Sequence, residues 1–179
     1  VLAILPYDSV DDAVRMANDT VYGLAANALD GAAVAGIYTA KGRPSFNPLI
    51  VHITDVAMAE TLASLNDIAR VLAAACWPGP LTMVVPRLPD CPIATIATAG
   101  LETIALRCPA HPAMQALITA SGVPLAAPSA NASGGVSPTT AAHVAASLAG
   151  RIPLIIDAGP CSAGLESTII RPYEDRIIL

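Results

Sequence analysis

Short apolar runs alternate along this chain with stretches of helical periodicity, and that alternation most constrains how it can fold. "PLIVHI", "PLTMVV", "TIALR", "PLAA", "IPLIID", "STII" and "RIIL" are each four to six residues of mostly apolar or β-branched type, the length of a buried strand. Between them lie stretches with apolar residues three and four apart. Asp30 is placed to cap a helix through "AAVAGIYTA", with Gly42 just past its end. "MAETLASLNDIARVLAAAC" reads as a helix in two pieces, and His111 to Ser121 as a helix closed by Gly122. Ser137 and Pro138 have the residue types of an N-cap and first helical position. At the start, "VLAILPY" is β-like, Ser9 opens a helical face of Val10, Ala13, Val14 and Ala17, and Gly23 reads as a break. Most of the 16 prolines fall at element boundaries. The expected class is α/β with a twisted mixed sheet and flanking helices.

At 179 residues one domain is expected, and 54% hydrophobic residues can fill its core. No apolar run is long enough to span a membrane, and no basic leader is seen, so a cytoplasmic location is expected. Cys76, Cys91, Cys108 and Cys161 are scattered without a C-x-x-C, which fits small core residues better than zinc ligands. The net charge of −5 and nine dispersed Lys and Arg point to a small-molecule ligand before a nucleic acid. The few cations therefore carry information.

Lys41 and Arg43 flank a glycine in "AKGRPSFNP" and could hold phosphates, Lys as a point charge and Arg as a fork. The same residues also suit the C-terminus of a helix, where cations meet its dipole. "APSANASGGVSP" is a polar loop whose backbone could approach a ligand, or a loop with no further role. Arg107 ends an apolar strand and must find an anion, either a substrate carboxylate or a structural acid. His52, inside "LIVHIT", reads as a satisfied core histidine, His111 as a helix-terminal residue and His143 as a helix-surface residue. The zincin, nucleophile-elbow and dinucleotide-binding motifs are absent, and no metal site is expected.

The segments "TVYGLAANA", "IYTAKGRPSFNPLIVHI", "WPGPLTMVV", "LRCPAHP", "PSANASGGVSPTTAAHV" and "LESTII" occur in the order seen in the YrdC-like family of threonylcarbamoyl-AMP synthases. Over residues 19 to 179 the chain resembles that family, with K-G-R and S-A-N intact. The resemblance implies a concave pocket in which L-threonine, bicarbonate and ATP with Mg2+ give threonylcarbamoyl-AMP and pyrophosphate. A downstream tRNA threonylcarbamoyl transferase complex would use that product. Lys41 and Arg43 would then be catalytic and, with Ser129, Asn131 and Ser137, would hold the nucleotide. Thr20, Tyr22, His52, Thr82, Arg107 and Ser167 would form the threonine pocket. Two other readings are an inactive nucleotide-binding module and a double-stranded RNA-binding module of the same fold.

Residues 1 to 24 resemble instead a fragment of aldehyde dehydrogenase, in which a helix leads into N-D-T-x-Y-G-L. The two patterns share "DTVYGLAA". The chain thus reads as a splice, with residues 1–18 an atypical segment that could impair activity and 19–179 the YrdC-like domain. A divergent first strand is the other explanation. No nucleophilic Cys setting or dinucleotide-binding domain supports dehydrogenase chemistry.

Overall fold

The structure is a computed structural model and describes residues 2–4, 23–157, 159–161, 166–173 and 176–179. The expected helix after Ser9, together with Thr20 and Tyr22, lies outside them.

Nine strands form one mixed sheet among the described residues. They are β1 (Leu2–Ile4), β2 (Gly23–Asn27), β3 (Ile50–His52), β4 (Leu81–Pro86), β5 (Thr103–Arg107), β6 (Leu125–Ala126), β7 (Leu154–Ile156), β8 (Thr168–Tyr173) and β9 (Arg176–Ile178). Their order across the sheet is β7-β1-β2-β6-β3-β5-β4-β8-β9. The pairs β1–β2, β3–β5 and β4–β8 are parallel and the rest antiparallel. The helices are α1 (Gly31–Lys41), α2 (Val56–Glu60), α3 (Asp67–Cys76), α4 (Pro112–Ser121) and α5 (Ala141–Leu148).

Local chemistry fixes the helix ends. Asp30 Oδ1 accepts from the amides of Ala32 (2.8 Å) and Ala33 (3.3 Å), and Gly42 closes α1 at φ 60°. Asn66 separates α2 from α3 by capping the second piece, its Oδ1 accepting from Ala69 N at 2.9 Å. His111 Nδ1 accepts from Ala113 N at 3.1 Å and caps α4, which ends at Gly122.

Two expectations about where elements begin and end need correction. Gly23 does not break the chain but begins β2, where it bridges Ser129. A glycine marks close backbone approach as readily as a turn. Nor does Ser137 cap α5. Thr140 does so, accepting from His143 N at 3.2 Å with an extended backbone, so Ser137 and Pro138 belong to the loop before the helix.

The core follows strand alternation. Leu24, Ala26, Val51, Met83, Val85, Ile104, Leu106 and Ile170 face one side, where α1, α3 and α5 add Val34, Ile37, Ala69, Ala73, Val144 and Leu148. On the opposite face a smaller cluster joins Ala25, Leu125 and Ala127 to Ile118 of α4. Cys108 is buried in the larger core, whereas Cys76 is exposed, contrary to the core reading of the cysteines.

Candidate active site

Two neighbouring rows of the sheet define the site. Val51, Leu106, Met83 and Ile170 are successive register partners across β3, β5, β4 and β8, and all four enter the larger core. One residue along, the row reads His52, Arg107, Thr82 and Ile169. The strand period of two puts this second row on the opposite face. Leu125, the partner of His52 on β6, is covered there by the small α4 cluster. Beyond it the face opens into a cavity of about 260 Å3.

Burial is severe for the polar members of the row. His52 is 5% exposed, Arg107 6% and Thr82 not at all. Arg107 Nε donates to the carbonyl of Gly79 at 3.4 Å, while its Nη2 and His52 Nδ1 have no hydrogen-bond partner. Among the described residues the one ion pair is Arg70–Glu60, on the surface, so no acid neutralises Arg107 there. A buried cation with spare donors beside an open cavity is built to receive an anion. Burial and, next, the Arg107 charge push the His52 imidazole down to about 3. Burial also lowers the Arg107 pKa. His52 is therefore neutral at physiological pH and a buried histidine with an open nitrogen, not the satisfied core residue its setting suggests.

A stability effect follows from that neutrality. Below the unfolded value near 6.5 the unfolded chain takes up a proton that folded His52 refuses down to about 3, so stability present above pH 6.5 is lost as pH falls. By pH 5 the loss is on the order of 2 kcal/mol. Urea unfolding at pH 7.5 and pH 5.0 should show this drop, and His52→Asn should flatten it. A His52 imidazole NMR signal, assigned by its loss in His52→Asn, that titrates near 6.5 would refute the assignment.

Thr82 does not reach the cavity. It lies behind Ser167, with the two hydroxyls 3.1 Å apart, and Ser167 is the member on the wall. Pro109, Met114 of α4 and Ile169 supply apolar wall beside Arg107.

At the other end of the cavity stand Arg43 and Ser129. Arg43 Nη2 donates to the carbonyl of Pro48 at 3.1 Å, and Nε to that of Asn47 at 3.4 Å. Lys41 is 2% exposed and does not line the cavity; its Nζ donates to the carbonyls of Ser129 and Asn131. Asn131 Nδ2 donates to the carbonyls of Gly135 (2.7 Å) and Ala132 (3.0 Å), which leaves its buried Oδ1 without a partner. The K-G-R and S-A-N segments, 88 residues apart, thus meet through Lys41.

Sequence reasoning missed Glu166. Among the described residues it is the one carboxylate on the cavity wall, and the nearby Ser137 hydroxyl lowers its pKa. The signal was its place in "LESTII", directly before Ser167.

Comparison with known proteins agrees with this geometry. A family model described as Telomere recombination (Sua5/YciO/YrdC) matches residues 11–179. The chain is 50% identical over 170 residues to threonylcarbamoyl-AMP synthase of Bacillus subtilis, covering 94% of this chain and 49% of that protein. A relative from Methanocaldococcus jannaschii is 36% identical over 160 residues, with 89% of this chain and 74% of that protein covered. The crystal structure of Pyrococcus abyssi Sua5 complexed with L-threonine superposes with a TM-score of 0.86 at 45% identity, over 98% of this chain and 48% of that one. The chain spans about half the length of the Bacillus and Pyrococcus relatives. Escherichia coli YciO, 20% identical with a TM-score of 0.80, shares the fold. The match from residue 11 takes in much of the stretch that resembles aldehyde dehydrogenase, so that resemblance is not supported. In addition, β1 pairs in parallel with β2 as a strand of the same sheet.

Proposed function

The chain belongs to the Sua5/YciO/YrdC family, and from that premise we propose that it forms threonylcarbamoyl-AMP and pyrophosphate from L-threonine, bicarbonate and ATP. The observation that carries this reading is the uncompensated Arg107, set beside neutral His52 in a cavity whose far end holds Arg43 and Ser129. An amino acid carboxylate suits the first end and a nucleotide phosphate the second. The bound L-threonine of the Pyrococcus relative supports the same choice of amino acid.

In this scheme Arg107 pairs with the threonine carboxylate, and Ser167, backed by Thr82, lies close enough to bond polar atoms of the amino acid. Met114 and Ile169 offer apolar surface to its methyl group. The threonine nitrogen, as free amine, attacks the carbon of bicarbonate; water leaves and a carbamate forms. A carbamate oxygen then attacks the α-phosphate of ATP, a new P–O bond forms, and the bond to pyrophosphate breaks. Arg43 offsets the charge that develops on the phosphates. Ser129 borders the nucleotide from the cavity wall, while Asn131 and Ser137, which lie off that wall, support it from behind. Magnesium enters with the triphosphate as part of the substrate. Glu166 offers it a single carboxylate, which suits an ion that keeps its phosphate and water ligands. The product would pass, in the cytoplasm, to a tRNA threonylcarbamoyl transferase complex. No helix among the described residues is long and apolar enough to cross a membrane.

Incubating the protein with ATP, bicarbonate and L-threonine should release pyrophosphate and yield threonylcarbamoyl-AMP by mass spectrometry. Pyrophosphate release that ignores threonine would reject the reading. Arg43→Ala should weaken ATP binding by about 1.5–3 kcal/mol, the usual worth of a charge-assisted contact. Calorimetry with ATP reads this directly, and a folded variant with parental affinity removes Arg43 from the nucleotide site.

A further inference from the structure

Lys41 is the only lysine in the chain, and it is engaged with protein. We propose that Lys41 is a positioning residue: its ammonium holds the S-A-N loop from behind in the shape that presents Ser129 to the nucleotide, and does not itself reach the phosphates. The proposal rests on the reading of this cavity as a nucleotide site.

Three observations carry it. Lys41 is buried and absent from the cavity wall, while Arg43 and Ser129 are both on it. Its Nζ donates to two carbonyls of one loop, those of Ser129 and Asn131. Finally, it is one of several ties on that loop. Ser133 N donates to the Lys41 carbonyl at 2.8 Å, and Ala132 N to Ser147 Oγ of α5 at 2.8 Å. Arg151 then joins the two helices, donating to Ala40 O of α1 at 3.1 Å and to Ser147 O at 3.0 Å. The loop is thus fastened to the C-terminal ends of both α1 and α5. A lysine ammonium has three donors and no acceptor, so two aligned carbonyls satisfy most of it. Burial and, next, the neighbouring Arg43 charge lower its pKa to about 8, as withdrawal of an ammonium from solvent does. Held this way, the loop keeps its ligand-facing groups ordered before nucleotide arrives, which lowers the entropic cost of binding.

A sole lysine makes the test direct. Reductive methylation of the native protein, read by peptide mass spectrometry, should leave Lys41 unmodified both with and without ATP, and modify it only after unfolding. Methylation in the free protein with protection by ATP would overturn the proposal, because that is the pattern of a phosphate ligand. Two variants extend the test. Lys41→Met should speed amide exchange across residues 129–135 about ten-fold in the absence of nucleotide, and lower ATP affinity about ten-fold with L-threonine affinity unchanged. Lys41→Gln, a neutral donor, should recover part of both losses. A Lys41→Met protein with parental loop exchange but weakened ATP binding would also overturn the proposal. Should neither variant fold, the methylation pattern decides alone. A parent protein that shows no ATP affinity would instead reject the nucleotide reading, and loop exchange in Lys41→Met would still report whether the lysine holds the loop.

Discussion

Arg107→Met should weaken L-threonine binding by about 1.5–3 kcal/mol and leave the protein at least as stable as its parent. The two effects have one cause. Arg107 sits 6% exposed with an unpartnered Nη2 and no acid paired with it among the described residues. Burying such a charge costs free energy, which a substrate carboxylate would offset and an empty cavity does not. Methionine keeps comparable length and apolar bulk while removing the charge. Function and stability should therefore move in opposite directions, a pattern that a structural arginine does not produce. Thermal unfolding without ligand and calorimetry with L-threonine measure the two sides. A lower melting temperature with parental threonine affinity would make Arg107 a structural residue. ATP affinity serves as the control and should not change, since Arg43 and Ser129 occupy the other end of the cavity.

The alternating row that builds this site was readable in the sequence only in part. "LIVHI", "TIALR" and "PLTMVV" were legible as strands because each is short, apolar and bounded by turn residues. That His52, Arg107 and Thr82 align side by side depends on register, and register is set by long-range pairing that one strand's pattern does not contain. The pattern did show a polar residue within or at the end of each apolar run, which is the local trace of a row facing away from the core. Helix caps fared according to how local they are. Asp30 and His111 bond amides within their own first turns, Asp30 as its residue type indicated and His111 at the helix start that the apolar spacing marked. Ser137 failed because Thr140, three residues on, offers an equally good cap, and which of two adjacent candidates wins is decided by where Val144 and Leu148 must sit in the core. Lys41 shows the same limit at the site. Its charge marked the K-G-R loop as important, but a contact with carbonyls 88 and 90 residues away has no signature in local sequence.

Gly79→Ala should combine a large loss of stability with a loss of threonine binding. A Cβ at this position would lie 2.2 Å from the Cys76 carbonyl oxygen and 3.3 Å from its carbon. Backbone at the end of α3 cannot swing aside as a flexible side chain would, so the turn itself must shift. Overpacking of this kind costs about 1–3 kcal/mol. That turn is also pinned to its surroundings: Gly79 N donates to Cys108 O at 2.8 Å, and Trp77 Nε1 donates to Leu81 O at 2.8 Å. Its displacement has a functional consequence because Gly79 O is the acceptor that orients Arg107 Nε. A guanidinium that loses its seat keeps its charge but not its aim, and a small misplacement of a substrate anchor is costly. The expected results are a clear drop in melting temperature and, at a temperature where the variant is still folded, a raised KM for threonine with that for ATP little changed. Arg107→Met shares the threonine defect without the loss of stability, so the pair separates the charge from the scaffold that aims it. A Gly79→Ala protein as stable as its parent would show that the turn relaxes at low cost. Parental threonine binding in that protein would show that Arg107 does not depend on the Gly79 carbonyl.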